Sequence, residues 1–186
     1  MQFDTPERGF SFLQDAPLDM RFGPHISRTA ADLVNEYSER ELADLIYQYG
    51  EERFSRPIAR ELKRAQPQTT SEAVEAVKRA VPRKAWSKIH VATRTFQALR
   101  IAVNGELEAL DQALAALPAA LRPGGVAAII SFHSLEDRRV KHAFRDLAAA
   151  KAFAILTKKP IEASPEETRA NPRARSAKLR ALEKRS

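Results

Sequence analysis

"GGVAAIISFHSLEDRRVKHAF", residues 124–144, decides how this chain is read. Val126–Phe132 is an apolar run too short for a helix, which fits a strand covered on both faces. Directly after it, Ser134 and Asp137 have capping-box spacing, and Val140, Ala143, Phe144 and Leu147 recur at helical intervals. A strand that ends in His133 and a helix that begins at Ser134 make a joint where open α/β sheets usually hold ligands. Two readings stay open there. Ser134 caps the helix and His133 is a polar edge residue, or the joint lines a pocket whose helix-terminal amides bind an anion. A Ser-His hydrolase is not expected, because its nucleophile usually needs a glycine-flanked elbow that "FHSLE" lacks.

Beyond the joint, "AFAILT" (152–157) reads as a strand, and "SAKLRALEK" (176–184) as the returning arm of a hairpin across an 18-residue basic loop. Ahead of it, Thr29 with Asp32 and Ser38 with Glu41 have capping-box spacing, each followed by apolar residues at i, i+3, i+4 and i+7. The second of these helices is expected to end at Gly50. A third helix is expected over 52–65, with Pro57 in its first turn or kinking it, and a fourth over 71–81. From Ile89, "HVATRTFQALRIAVN" puts Ala92, Phe96, Leu99 and Val103 on one helical face and Arg94, Gln97, Arg100 and Asn104 on another. Leucines from Leu107 to Leu121 continue the spacing, with a break or kink expected at Pro118.

The 186 residues are 44% hydrophobic and 30% charged, enough apolar material for a packed core. No window approaches a membrane-spanning helix, so no membrane partner is expected. The chain has no cysteine, which excludes disulfides, thiolate zinc sites and a Cys nucleophile and fits a reducing cytoplasm. The four histidines lack ligand spacing, so no metal site is expected. The net charge of +7 favours a polyanionic partner. Residues 158–186 hold nine basic residues against four acidic ones, so most of the surplus lies in the last segment.

Within that segment, Arg173, Arg175 and Lys178 of "NPRARSAKLR" lead into a strand, which favours phosphate contact over a solvated tail. The Arg94, Gln97, Arg100 and Asn104 face is either solvated surface or, with two guanidiniums and two amides, an RNA contact. Glycines fall at 9, 23, 50, 105, 124 and 125, and none builds the glycine-rich turn that a nucleotide or S-adenosylmethionine site on such a sheet needs.

Taken together, "ERGFSF", "APLDMR", "YGEERFSR", "IHVATRTFQALRIAVN", "PGGVAAIISFHSLEDRRVK" and "NPRARSAKLR" resemble the ribosomal RNA small subunit methyltransferase H family, the bacterial cytosine-N4 methyltransferases. The likeness runs in order from Gln2 to about Lys184. It implies an α/β fold, a partial class I (Rossmann-like) methyltransferase sheet contributing its last three strands, with an inserted all-helical lobe. It also implies S-adenosylmethionine as methyl donor and a cytidine in the decoding region of small-subunit rRNA as substrate. On this footing, residues 1–27 are a linker, 28–88 the substrate-recognition lobe and 89–186 the C-terminal part of the catalytic domain. The first strands and the glycine-rich cofactor turn of the family have no counterpart here, and of its cofactor residues only Gln2 carries over. Val91 stands where the family has a proline, and "RFGPHIS" departs from its usual run.

His133, Ser134 and Asp137 are the expected lining beneath the target base, a placement read from position and charge. The chain is accordingly expected to be the C-terminal portion of such an enzyme, inactive alone and prone to self-association through an unpaired sheet edge. The rival readings are a non-catalytic RNA-binding module and an inactive gene fragment.

Overall fold

Three helix starts in the first half of the chain carry reciprocal caps. Thr29, Ser38 and Thr69 each accept the backbone N–H three residues on, while Asp32, Glu41 and Glu72 accept the N–H of the capping residue. In the computed structural model, which describes residues 6–12, 14–87 and 89–185, they open α1 (Ala30–Glu36), α2 (Glu39–Gly50) and α4 (Thr70–Ala80). Between them, α3 (Ser55–Ala65) starts three residues later than the expected 52–65. Glu51 takes a left-handed φ of 50°, and the Glu52 carboxylate accepts the Phe54 N–H at 2.9 Å, so the chain turns before the helix begins. Pro57 then sits in the first turn, where its missing N–H deprives the helix of no bond.

These helices and α5 (Thr93–Asn104) share one core, in which Leu42, Ile46, Ile58, Leu62, Val77 and Leu99 are fully buried. Leu18 and Met20 from the preceding segment join it. The chain divides into two compact units at Glu106 and Leu107. The sequence division placed residues 1–27 and α5 outside the lobe, whereas Phe10, Phe12, Leu18 and Met20 and the apolar face of α5 pack with it here.

Gly50 has a reason beyond ending α2. A Cβ there would lie 2.6 Å from the Arg94 carbonyl oxygen, so the bare backbone is what lets α5 come so close. The left-handed cap falls to Glu51 instead.

The second unit holds a small antiparallel sheet with helices. After α6 (Glu106–Ala120) come β1 (Val126–Ser131), α7 (Ser134–Ala149), β2 (Phe153–Ile155), β3 (Ile161–Glu162), α8 (Pro165–Ala170), a 3-10 turn over Pro172–Ser176 and β4 (Lys178–Lys184). The expected basic loop of 158–175 therefore carries its own short elements. Strand β4 is central. It pairs antiparallel with β1 from Val126↔Glu183 to Ser131↔Lys178, and with β2 and β3 along its other edge.

Helix α6 runs on through Pro118 to Ala120, so of the expected break or kink the break is absent. Pro118 falls in the last turn, and the Lys184 ammonium donates to the carbonyls of Pro118 at 2.7 Å and Leu121 at 2.8 Å. A cation thus satisfies the orphan acceptors of the helix end.

The core of this unit joins Leu114, Ala127, Val140, Phe144, Phe153 and Leu182. The expectation that the strand at 126–132 is covered on both faces is corrected here. Ala127 and Ser131 are buried, but Val126, Ile130 and Phe132 are 51%, 53% and 54% exposed. Helix α7 covers one face of the twofold alternation, and the apolar composition of the run hid that asymmetry. The second edge of β1 pairs with no strand among the described residues. No helix among the described residues is long and apolar enough to cross a membrane.

The close approach at Gly50 yields a direct test. Gly50→Ala should destabilise the chain by about 1–3 kcal/mol through overpacking, read as a lower urea midpoint at constant slope; an unchanged midpoint would contradict the close contact.

Candidate functional site

The joint between β1 and α7 is built by a cap one residue earlier than the sequence spacing indicated. His133, in extended conformation, is the N-cap of α7, and its Nδ1 accepts the Glu136 N–H at 3.4 Å. The Glu136 carboxylate in turn accepts the Phe132 N–H at 2.8 Å and the His133 N–H at 3.4 Å. The expected Ser134–Asp137 box is therefore replaced by His133–Glu136. Both pairs have the same spacing, and the extended backbone at His133 selects between them. Ser134 becomes the first helical residue and is exposed, whereas the His133 side chain is only 9% exposed.

Asp137 has a different neighbour. Its carboxylate accepts two bonds from the Arg180 guanidinium of β4, at 2.7 and 3.2 Å, and the Lys178 ammonium lies 3.9 Å away. The hydrogen bond from Arg180, helped by the charges of Arg180, Lys178 and Lys141, holds its carboxyl below the usual aspartate range despite partial burial. An aspartate so held stays ionised and is a poor proton acceptor near neutral pH. Its chemical effect is to fix the start of α7 to β4 and to bring Lys178 to the joint. Arg173 and Arg175 are exposed on the 3-10 turn that leads into the same strand.

The α5 face lies in the first unit, and its four residues part ways. Gln97 donates to the Tyr49 carbonyl at 2.9 Å. Arg100 forks onto Glu106 at 2.7 and 2.9 Å. Asn104 accepts the Phe22 N–H at 2.7 Å and donates to the Met20 carbonyl at 2.8 Å. Arg94 alone of the four is exposed, with only long contacts to the Glu51 carbonyl at 3.5 Å and the Glu52 carboxylate at 3.8 Å. Gln2, the expected cofactor contact, lies outside the described residues.

Sequence reasoning missed a cavity of about 270 Å³ beside Arg94, lined by Trp86, Phe54, Arg53 and His90 among others. His90 stacks on Phe12 with ring centroids 4.4 Å apart, and its Nδ1 accepts the Ala92 N–H. Burial, with the nearby Lys78 charge, lowers the His90 pKa. The signal available was the lone Trp86 just before "KIHVATR", which no periodic pattern claimed.

An S-adenosylmethionine cradle does not fit the described residues. The β1–α7 turn carries no glycine, and the Phe132, His133 and Glu136 amides there are engaged by the Glu136 and His133 side chains. Gly124 and Gly125 precede β1, at the wrong end of the strand for a dinucleotide-type turn.

Comparison with known proteins adds a second kind of observation. The family model described as MraW methylase family matches residues 1–185. Among curated proteins, the chain is 59% identical over 199 residues to the ribosomal RNA small subunit methyltransferase H of Myxococcus xanthus, covering 98% of this chain and 65% of that protein. It is 54% identical over 185 residues to the protein of the same name from Acidobacterium capsulatum, covering 99% and 62%. The like-named protein of Crocosphaera subtropica is 56% identical over 181 residues, covering 96% and 56%. The chain thus spans less than two thirds of the length of these relatives.

The Asp137–Arg180 pair sets an expected acid limb. A depressed carboxyl contributes stability above its unfolded pKa, and this is lost as pH falls through the folded value, hence below about pH 4. Asp137→Asn should cost about 3 kcal/mol at neutral pH by stranding Arg180, and should flatten the fall in stability on acidification. A variant with the parent's acid limb would contradict the assignment.

Proposed function

The chain belongs to the MraW methylase family, and from that premise we propose that it takes part in S-adenosylmethionine-dependent N4-methylation of a cytidine in the decoding region of small-subunit rRNA. The observation that carries the reading is 54–59% identity, over nearly all of this chain, to proteins named ribosomal RNA small subunit methyltransferase H. In this reading β1, β4 and β2 are the last three strands of a class I methyltransferase sheet, and the antiparallel placement of β4 between its neighbours supports it. The helical unit recognises the substrate.

A cytosine amine inside a duplex is out of reach of a methyl group, so the base must be unstacked before reaction. His133 and Ser134 at the end of β1 line the space beneath that base, with Ser134 as the exposed hydroxyl. Asp137 is a positioning residue that holds the helix start through Arg180. Arg173, Arg175 and Lys178 contact backbone phosphates, as does Arg94 from the helical unit. Gln97, Arg100 and Asn104 serve RNA indirectly, by fixing α5 so that Arg94 is presented. The methyl donor, when bound, supplies the electrophilic methyl group, and Gln2 is the residue of this chain assigned to it.

A second reading, an RNA-binding module without catalysis, is favoured by the absence of a donor cradle among the described residues. Titration calorimetry with S-adenosylmethionine separates the two, because micromolar binding by this chain would overturn the module. Both readings require RNA recognition. A labelled decoding-region fragment should bind in preference to an unrelated stem-loop of equal length. Arg94→Ala and the pair Arg173→Ala/Arg175→Ala should each weaken it and lower the slope of log K against log salt by about one per residue removed. Equal affinity for both RNAs would refute the proposed substrate.

A further inference from the structure

We propose that the cavity between α7 and the strand edge formed by β2 and β4 is a binding site for backbone phosphates of RNA, gripped by Lys141, Arg145 and Lys158. This rests on the RNA reading above and adds a site to it. The cavity measures about 290 Å³, and four of its seven lining residues are cations: Lys141, Arg145, Lys158 and Arg180. No carboxylate lines it. Arg180 is neutralised by Asp137, which leaves Lys141, Arg145 and Lys158 as three like charges at one cavity, a focus of positive potential that an anion relieves.

The geometry is specific. Lys141 and Arg145 stand one turn apart on α7, a spacing at which like charges repel. Lys158, just beyond β2, brings a third charge to the same space. All three are exposed, and among the described residues none of them is held in an ion pair or hydrogen bond. Arg180 is different, being paired with Asp137 and 8% exposed, so it forms part of the wall and is not one of the gripping charges. Thr157 Oγ1 accepts the Ala181 N–H at 2.9 Å, which leaves its hydroxyl hydrogen to donate to a ligand oxygen. Phe144, only 2% exposed, and Ile155 complete the wall and offer no open aromatic face for a base. Hydroxyl donor, forked guanidinium and two ammonium groups match phosphate oxygens rather than base edges. A polymer is favoured over a free anion by the net charge of +7 and by the surplus of nine basic over four acidic residues in 158–186.

The test is anisotropy of a labelled decoding-region rRNA fragment over a salt series, with the whole chain. The triple variant Lys141→Ala/Arg145→Ala/Lys158→Ala should lose at least about tenfold in affinity at low salt and about three units of salt slope. Melting temperature should be kept, since the three side chains are exposed. A control triple, Arg122→Ala/Arg169→Ala/Arg185→Ala, removes the same charge from exposed positions outside the cavity and should lose far less. Equal losses in the two triples, or an unchanged affinity in the first, would overturn the proposal while leaving the RNA reading intact. Failure of the unaltered chain to bind RNA would overturn both. A thermal shift by millimolar inorganic phosphate that needs the three residues, with RNA affinity unchanged in the triple, would assign a free-anion site and overturn the RNA assignment.

Discussion

The second unit depends on one strand. Lys178–Lys184 supplies the backbone ladder for β1 on one edge and for β2 and β3 on the other, so no other strand of the described sheet has a second neighbour. Its side chains complete the work of its backbone. Leu182 enters the core, Arg180 holds Asp137 at the start of α7, and Lys184 closes the end of α6. Because α7 and α6 are both fastened to β4, the end of β1 and the helix start that follows it are fixed relative to each other. That rigidity is what a pocket at a strand–helix joint requires.

The helical unit was the more legible part. Capping residues and apolar intervals are local signals, and Thr29, Ser38 and the valines of α4 act within a few residues of themselves. Pro57 left two alternatives, a first turn or a kink, and the later start of α3 at Ser55 settles it as the first turn. The joint was legible as a place but ambiguous by one residue, because His133–Glu136 and Ser134–Asp137 share a spacing. Only backbone conformation decides between them.

What the sequence concealed is long-range partnership. Gln97 meets a carbonyl 48 positions away, Asn104 an amide 82 positions away, and Arg180 a carboxylate 43 positions away. No local pattern distinguishes these side chains from a solvated stripe, so the α5 face read as one surface when three of its members are internal fastenings. The apolar run of β1 misled in the opposite sense, since composition cannot say which face of a strand meets a helix. Pro118 read as a break or kink, since the cation that closes its helix end comes from 66 residues further on.

The proposed function rests on a division of labour between charges that shape the fold and charges exposed at the surface. Arg100 and Arg180 are held by carboxylates and shape the fold, while Arg94, Arg173, Arg175 and the α7 cations face solvent. Photo-crosslinking of a thiouridine-substituted decoding-region RNA, with peptide mapping of the chain, tests this most directly. Crosslinks within Phe132–Arg145, Leu156–Lys158 and Arg173–Lys178 are the expected result. Crosslinks confined to α3 and α4, or none at all, would contradict it.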